Sequence, residues 1–381
     1  MHKKRHLSIP LSRPSIGRAE MQAVVAVLRS GWLAHGKKNQ EFEELLKEYF
    51  GVSEAVVVNS GASALLLSLL ALDIRKEVLV PSFTMSASAH AIVLAGATPV
   101  FVEVEEETGT MDPARLEEKV TSHTQAIMPV HFAGQSCKMD QILAIAKRYK
   151  LMVIEDSAEA IGARYKGRLA GTFGDAGCLS FWASKNITTG EGGAVLTNKK
   201  RIADRVRIFM AHGMPTTTLQ REKAITPWKR DSIAAGFNMR MSDINAAIGV
   251  VQMKKINELN ARRKKFAAYL TNKLSSVSGL RPLTALPECD HVYQMYVVQL
   301  SHAALRDKLV RALRARGIGA SVHFDPPVHQ QVFYRKRNGA VSLPVTEHLA
   351  SRVITLPLFP DMSFHDCDDI ARAIKEEMAT L

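Results

Sequence analysis

Short apolar runs alternate with longer amphipathic segments over most of the chain. Runs rich in Val, Ile and Leu that are bounded by turn-forming residues are typical of buried strands, whereas apolar positions spaced three and four apart are typical of helices. The pattern predicts strands at residues 55–59, 77–81, 99–104, 126–130, 151–156, 178–182 and 194–197. It predicts helices between them at residues 62–72, 86–95, 113–120, 139–149 and 200–210.

This alternation predicts an α/β fold with a mostly parallel, seven-stranded sheet that helices flank on both faces. After Ser242 the pattern changes to one long helix, followed by a strand at 293–300 and a closing helix. We therefore expect a large domain over residues 12–245 and a smaller α+β domain over residues 246–381. Residues 1–11 are expected to pack on the smaller domain. In such sheets, binding sites lie beyond the carboxyl ends of the strands.

Lys185 stands between an apolar strand and a glycine-rich turn. A lysine is usually a solvated surface cation, but two other features give this one a chemical context: Asp156 ends a buried strand, and the string Ser-Gly-Ala-Ser at 60–63 opens a helix. A partly desolvated lysine can form a Schiff base. A carboxylate at a strand end can keep a pyridine nitrogen protonated. With phosphate-binding N–H groups at the helix start, these features match the needs of pyridoxal phosphate (PLP).

The helix start supplies the expected phosphate site. Gly61, Ala62 and Ser63 are placed to present backbone N–H groups along the helix dipole. Ser180, five positions before Lys185, adds a hydroxyl donor. The amine, the acid and this anion cradle are therefore expected to form one cofactor site.

Five strings of residues resemble the DegT/StrS family of sugar aminotransferases. They are Asn59–Ala64, Pro81–Thr84, Glu155–Gly162, Ser180–Gly193 and Gly236–Ala247. Five strings in register are far more specific than one motif, and the match continues in order from the N-terminal segment to the last helix. The resemblance implies the fold type I architecture of PLP-dependent transferases, PLP as cofactor, and a nucleotide-linked keto-sugar as amino acceptor.

The resemblance also implies roles for single residues. Lys185 matches the Schiff-base lysine, and Asp156 matches the partner of the pyridine nitrogen. Ser180 matches a phosphate ligand, and Glu159 matches a residue near the ring hydroxyl. Relatives that dehydrate sugars carry histidine at the lysine position, so Lys185 argues for amination.

Further implications of the resemblance concern the assembly and the amino donor. Asn238 and Arg240 match residues that reach the phosphate of the neighbouring subunit's cofactor, which implies an obligate homodimer with shared active sites. The amino donor implied by the family is L-glutamate. His323 and His329 flank a rigid Asp-Pro-Pro turn that resembles a segment near the sugar site. For both histidines, substrate contact and a purely structural role remain open.

Three positions bear on the site. Ala62 stands where the family usually has threonine, so one phosphate hydroxyl is missing and Ser63 is the candidate to replace it. Met85 stands where many relatives stack an aromatic side chain on the pyridine ring, and a methionine can also pack on a ring face. Trp182, within a predicted strand, is expected to pack in the core, as aromatic side chains in strands commonly do.

Composition limits the alternatives. Hydrophobic residues make up 46% and charged residues 23% of the chain, which is typical of a soluble globular protein. The net charge of +13 is spread along helices with few aromatic residues between, which favours solvated helix faces over nucleic-acid binding. The four cysteines match no metal-site spacing, and no signal peptide or membrane span is evident, so we expect a cytoplasmic protein without a metal.

The leading hypothesis is a PLP-dependent aminotransferase that transfers an amino group from L-glutamate to a nucleotide-linked keto-sugar in amino-sugar or polysaccharide biosynthesis. A near alternative keeps the fold but uses another acceptor, such as a keto-inositol. A distant alternative is a noncatalytic sensor that retains the fold. The presence of Lys185, Asp156 and Ser180 together argues against a sensor, because a sensor has no need of a Schiff-base lysine.

Overall fold

The computed structural model describes residues 8–216, 225–226 and 228–380. Its strands, in chain order, are β1 (Glu54–Val58), β2 (Glu77–Pro81), β3 (Thr98–Val102), β4 (Thr124–Ile127), β5 (Met152–Asp156), β6 (Arg164–Tyr165), β7 (Arg168–Leu169), β8 (Ala176–Ser180), β9 (Gly193–Thr197), β10 (Leu280–Pro282), β11 (Cys289–Asp290), β12 (Tyr296–Leu300) and β13 (Val353–Leu356).

The α-helices are α1 (Arg18–Ser30), α2 (Lys37–Phe50), α3 (Gly61–Ala71), α4 (Ser86–Leu94), α5 (Pro113–Leu116), α6 (Met139–Tyr149), α7 (Lys200–Met210), α8 (Asp243–Leu274), α9 (Ala303–Ala315), α10 (Val332–Asn338), α11 (Pro344–Ala350) and α12 (Phe364–Met378). Helices α6 and α7 have the predicted bounds, whereas α1 and α2 were not predicted. Serine side chains cap three helix starts: Ser60 accepts from the Ser63 N–H at α3, Ser242 from the Asn245 N–H at α8, and Ser363 from the Asp366 N–H at α12.

Seven strands form the central sheet in the order β1-β9-β8-β5-β4-β2-β3. Strand β9 runs antiparallel to both of its neighbours, and the other neighbouring strands pair in parallel. The prediction of a mostly parallel, seven-stranded sheet is therefore confirmed. Because β9 runs antiparallel to both β1 and β8, strands β1, β5 and β8 point the same way and their carboxyl ends meet at one edge.

Helices cover both faces of this sheet. Alternate side chains of β1 point to opposite faces, so Val56 packs in one apolar cluster with helices α3 and α7, while Val57 packs in another with α2 and α8. Helix α6 covers the same sheet further along, where Ile142 packs against Ile127 and Val153. The fold class is confirmed, because a parallel sheet buried on both faces is the arrangement that the alternating pattern predicted.

A second, antiparallel sheet of β10, β12 and β13 packs against the end of α8 and against α9 and α12. The backbone of Ile9 joins this part of the molecule: its N–H donates to the Gly317 carbonyl at 2.9 Å, and its carbonyl accepts from the Gly319 N–H at 2.7 Å. Residues 1–7 of the segment expected to pack here lie outside the described residues. The predicted boundary after residue 245 falls in the first turn of α8, and the division into two domains stays a prediction.

None of the helices in the described part of the chain is both long and apolar enough to cross a membrane. The features that matter for the site are the carboxyl ends of β1, β5 and β8, which carry Val58, Asp156 and Ser180. Helix α3 begins directly after β1, so its N-terminus lies at the same edge.

Candidate active site

A cavity of about 720 Å³ opens at the edge where β1, β5 and β8 end. The sequence-predicted residues on its wall are Gly61, Ala62, Met85, Asp156, Glu159, Ser180, Lys185 and His323. They come from α3, from β5 and β8, and from the loops that follow strands. This agrees with the rule that sites in such sheets lie beyond the carboxyl ends of strands.

Lys185 and Glu159 face each other in this cavity. The Nζ atom of Lys185 lies 3.3 Å from Oε1 of Glu159, and the two side chains are only 14% and 10% exposed. The other carboxylate oxygen of Glu159 accepts from the Ala133 N–H at 3.0 Å. The Lys185 N–H donates to the Trp182 carbonyl at 2.9 Å, which closes the turn after β8. The amine is thus held in a partly desolvated place, where a lysine can act as a nucleophile.

Asp156 is the last residue of β5 and is buried. Its Oδ2 accepts from the Ser88 hydroxyl at 2.7 Å, and its Oδ1 accepts from the Ala158 N–H at 3.2 Å. Burial raises the pKa of Asp156, and these two hydrogen bonds oppose the rise. A buried carboxylate that no cationic side chain of the described residues meets in a hydrogen bond is suited to pair with a cationic group of a ligand.

The N-terminus of α3 forms an anion cradle. The N–H groups of a first helical turn have no intrahelical acceptors, and the helix dipole favours negative charge there. A β-carbon on Gly61 would lie 2.7 Å from the β-carbon of Ser180, so only glycine lets the helix start approach Ser180 so closely. Ala62 and Ser180 complete this part of the wall.

Four sequence-predicted residues lie away from the cavity wall: Ser63, His329, Asn238 and Arg240. For Ser63 and His329 the structure shows other hydrogen-bonding roles, and these are corrections. The hydroxyl of Ser63 donates to Oδ1 of Asn59 at 2.7 Å, and its N–H donates to the hydroxyl of Ser60. Both groups are used in capping α3, so Ser63 does not replace the hydroxyl that is missing at Ala62. His329 is buried, with Nδ1 2.6 Å from the Ser82 hydroxyl and Nε2 3.1 Å from Glu347 Oε1, which is a structural role.

His323 lies on the wall with its Nδ1 2.8 Å from the Thr355 hydroxyl. Burial lowers the pKa of His323, and the nearby Lys185 lowers it further against an opposing effect of Glu159. The imidazole is therefore neutral at neutral pH. A neutral ring on the wall can exchange hydrogen bonds with a polar ligand without repelling the Lys185 ammonium.

Asn238 and Arg240 lie outside the cavity of their own chain. Nε and Nη2 of Arg240 each donate to Oδ1 of Asn238 at 3.1 Å, with Asn238 exposed and Arg240 half-buried. A place beside a neighbouring subunit's cofactor is compatible with this exposure. It stays a prediction.

Residues that were not predicted also line the cavity. Trp182 was expected in the core, but β8 ends at Ser180 and the Trp182 side chain is 51% exposed on the cavity wall. Ser88 lies in the first turn of α4 and Thr84 in the loop before that helix, and their hydroxyls lie 2.9 Å apart. Only the spacing of one helical turn between them could have signalled a shared function. Gln294 arrives from a distant part of the chain that was predicted as a strand and not as part of the site.

The residues present fit PLP. Lys185 offers an amine to the aldehyde, Asp156 offers a carboxylate to the pyridinium, and the cradle at Gly61 offers N–H groups to the phosphate dianion. These three requirements are chemically different. One cavity meets all of them.

Comparison with known proteins places the same chemistry in similar chains. The sequence model of the DegT/DnrJ/EryC1/StrS aminotransferase family matches residues 14–375. The spore coat polysaccharide biosynthesis protein SpsC of Bacillus subtilis is 38% identical over 99% of this chain and 98% of its own length.

Two solved structures are similar over nearly the whole chain. A sugar aminotransferase from Streptococcus pneumoniae, in its PLP form, is 29% identical with a TM-score of 0.91, over 98% of this chain and 99% of its own. DesI, determined in the presence of its TDP-sugar product, is 30% identical with a TM-score of 0.88 and covers 98% of this chain and 94% of its own.

Proposed function

The chain belongs to the DegT/DnrJ/EryC1/StrS aminotransferase family, and on that premise we propose that it transfers an amino group from L-glutamate to a nucleotide-linked keto-sugar. Aminotransferases of this family depend on PLP. The observation that carries the proposal is the Lys185 amine beside Glu159, in one cavity with the buried Asp156. PLP supplies an aldehyde that carries the amino group and a ring that withdraws electrons.

Each residue has a role in this proposal. Lys185 Nζ anchors the cofactor and, when free, moves the proton to and from the carbon that loses or gains the amino group. Asp156 keeps the ring nitrogen protonated, because a carboxylate pairs with the charged form. Glu159 orients Lys185, and the N–H groups near Gly61 together with Ser180 hold the phosphate. Met85, which is exposed on the wall, packs against the ring.

A nucleotide-linked keto-sugar is the proposed acceptor. DesI was determined with a TDP-sugar, and SpsC acts in polysaccharide biosynthesis. The cavity of about 720 Å³ is within the range of small-molecule sites. The net charge of +13 favours the approach of an anionic nucleotide. The product is accordingly an amino-sugar for a polysaccharide or a related glycan.

The proposed working form is a homodimer in the cytoplasm. Arg240 and Asn238, which lie outside the cavity of their own chain, would contact the phosphate in the neighbouring subunit. Helix α1 presents Met21, Val25 and Leu28 to solvent at 57%, 42% and 52% exposure, an apolar stripe that a second copy would cover. The four cysteines are free thiols, as expected in a reducing compartment.

The test begins with the purified protein, PLP and L-glutamate, with absorbance spectra recorded before and after glutamate is added. We expect a visible band that glutamate removes and 2-oxoglutarate restores. A panel of nucleotide-linked 3-keto and 4-keto hexoses is then added, and amino-sugar and 2-oxoglutarate are measured by mass spectrometry. Amino transfer to a keto-inositol and to none of the keto-sugars would show that the acceptor is a keto-inositol. A band that no amino donor changes would contradict the aminotransferase activity and favour a sensor.

A further inference from the structure

Lys185 is flanked on both sides by residues that the C-terminal half of the chain holds through hydrogen bonds. On one side, the carbonyl of Ser184 accepts from Nε2 of Gln294 at 3.0 Å. On the other side, Nδ2 of Asn186 donates to Oδ1 of Asn260 at 2.7 Å and contacts the carbonyl of Val292 at 3.3 Å. The turn that carries the amine is thus held from outside the central sheet.

The groups that hold the turn are themselves fixed. Asn260 lies on α8, and its Nδ2 donates to the carbonyl of Ile161 at 3.0 Å. Arg263, one turn later on the same face of α8, donates through Nη1 to the carbonyls of Gln294 at 3.3 Å and Leu358 at 2.9 Å. A chain of contacts therefore runs from α8 through Gln294 to the residue before Lys185.

These side chains are buried, and their arrangement is costly. Asn186, Asn260 and Gln294 are 2%, 5% and 6% exposed. Arg263 is 2% exposed, and its Nη1 donates to backbone carbonyl oxygens. Burial lowers the pKa of Arg263 to about 10. Buried amides and a buried guanidinium are expensive unless they are hydrogen-bonded. An apolar contact would hold the turn at less cost but would not fix its orientation.

We propose that Asn260 and Gln294 are positioning residues that set the place of the Lys185 amine relative to the cofactor aldehyde. The inference rests on the proposed function. In the step concerned, Nζ of the neutral amine bonds to the aldehyde carbon, the nitrogen loses its two protons, and the aldehyde oxygen leaves with them as one water molecule. A misplaced amine slows this step because reacting groups must meet in the right geometry.

The phosphate cradle and the amine are held by different parts of the chain. The cradle is built from the start of α3 and Ser180, whereas the side chains of Asn260 and Gln294 hydrogen-bond to Asn186, Ile161 and Ser184. Loss of the positioning contacts should therefore slow bond formation to Lys185 and leave noncovalent binding of the cofactor's phosphate intact. If the two residues had a purely structural role, their loss would weaken both bond formation to Lys185 and phosphate binding, or neither of them.

The chain offers a matched control on the same helix. Asn257 lies one turn before Asn260 on α8, and its side chain is exposed and accepts from the Tyr49 hydroxyl at 3.2 Å. The variants are Asn260→Ala, Gln294→Met and Asn257→Ala. Asn260→Asp keeps an acceptor for Asn186 and serves as the conservative variant, which also guards against a fold defect in Asn260→Ala.

Two measurements are made on the full-length, cofactor-free protein. The first is the rate at which PLP becomes bonded to Lys185, followed by absorbance and by borohydride trapping with mass analysis of the Lys185 peptide. The second is the dissociation constant of pyridoxine 5′-phosphate, which has the phosphate and ring but no aldehyde. We expect Asn260→Ala and Gln294→Met to slow bond formation by about tenfold or more. Binding of pyridoxine 5′-phosphate should change by less than about threefold.

Asn257→Ala should match the wild type in both measurements, and Asn260→Asp should recover part of the lost rate. The proposal is overturned if Asn260→Ala forms the bond as fast as Asn257→Ala. It is also overturned if pyridoxine 5′-phosphate binding weakens as much as the rate falls. Failure of the wild type itself to bond PLP would instead contradict the proposed function.

Discussion

The amine of Lys185 lies 3.3 Å from a carboxylate oxygen of Glu159, with both side chains largely removed from solvent. A backbone N–H from Ala133 fixes the other oxygen of that carboxylate. The amine is therefore oriented before a cofactor arrives. Such preorganisation lowers the cost of placing a nucleophile.

Replacing this lysine tests its central role. Lys185→Ala should lower the rate of amino transfer by at least about 1000-fold, because anchor and proton carrier are lost together. The measurement is 2-oxoglutarate release with glutamate and an accepted keto-sugar. Lys199→Ala is the control, since Lys199 forms a surface ion pair with Asp175 and is itself 57% exposed. Transfer by Lys185→Ala at the rate of this control would contradict the assignment.

The buried Asp156 carboxylate should lower the free energy of unfolding while it raises the rate of amino transfer. Its raised pKa means that, between its ordinary and raised pKa values, the folded protein binds more protons than the unfolded chain. Stability of the cofactor-free protein therefore falls as the pH rises through that window and stays reduced above it. Asp156→Asn should raise the free energy of unfolding at neutral pH by about 1 kcal/mol. It should lower transfer by about 100-fold, because the ring nitrogen loses its charged partner.

The measurements for Asp156→Asn are urea unfolding of the cofactor-free protein across pH and the transfer rate of the PLP-loaded protein. Asp140→Asn is the control, because its contact with Lys166 lowers the pKa of Asp140, so the sign of the pH effect is opposite. A cofactor-free Asp156→Asn protein that is less stable than the wild type at neutral pH would show that burial of this charge is not the dominant cost.

Gly61 should be intolerant of any side chain. Gly61→Ala puts a β-carbon 2.7 Å from the Ser180 β-carbon and pushes the start of α3 away from the phosphate position. We expect PLP affinity to fall on the order of 10-fold to 100-fold, measured by equilibrium dialysis. Gly17→Ala is the control, because the nearest atom to its added β-carbon is 3.7 Å away and its φ is −131°. Equal PLP affinity in both variants would exclude a phosphate cradle at Gly61.

The sequence predicted the fold because each strand and helix of the sheet carries its own period and burial pattern. Helix α1 escaped prediction for a physical reason: its buried side chains are Glu20 and Val27, whereas Met21, Val25 and Leu28 face outward. These three apolar residues of α1 therefore do not face the core, so their pattern does not identify a buried helix face. They are the stripe for which a second copy is proposed.

The site was predictable where a reactive side chain ends a buried strand, as Asp156 does, or closely follows one, as Lys185 does. It was not predictable where orientation depends on distant neighbours. Ser63 has a suitable hydroxyl, but that hydroxyl hydrogen-bonds to Asn59 and Ser60 and so helps to cap α3. Gln294 reaches the Lys185 turn only through tertiary folding.

A shared active site can be tested by mixing inactive variants. If Arg240 acts on the neighbouring subunit's phosphate, Lys185→Ala and Arg240→Ala subunits each keep what the other lacks. Random reassociation of equal amounts should restore about a quarter of wild-type sites, since half the dimers are hybrids with one intact site each. Activity is measured after denaturation and refolding of the mixture. No recovery, with each pure variant refolding to a dimer, would show that Arg240 acts within its own subunit.

The two histidines near the Asp-Pro-Pro turn should respond to replacement in opposite ways. His323 lies on the cavity wall and His329 does not, although they are only six positions apart in the chain. His329→Ala removes the imidazole hydrogen bonds to the buried Ser82 hydroxyl and to Glu347, which keep backbone N–H donors, so the free energy of unfolding should fall by about 2 kcal/mol while the acceptor KM stays within about twofold. His323→Ala should lower kcat/KM for the keto-sugar by about tenfold at nearly unchanged stability, because one wall contact is lost. The measurements are urea unfolding and steady-state kinetics on both variants. A larger loss of kcat/KM in His329→Ala than in His323→Ala would contradict sugar contact at His323 and place the sugar nearer His329.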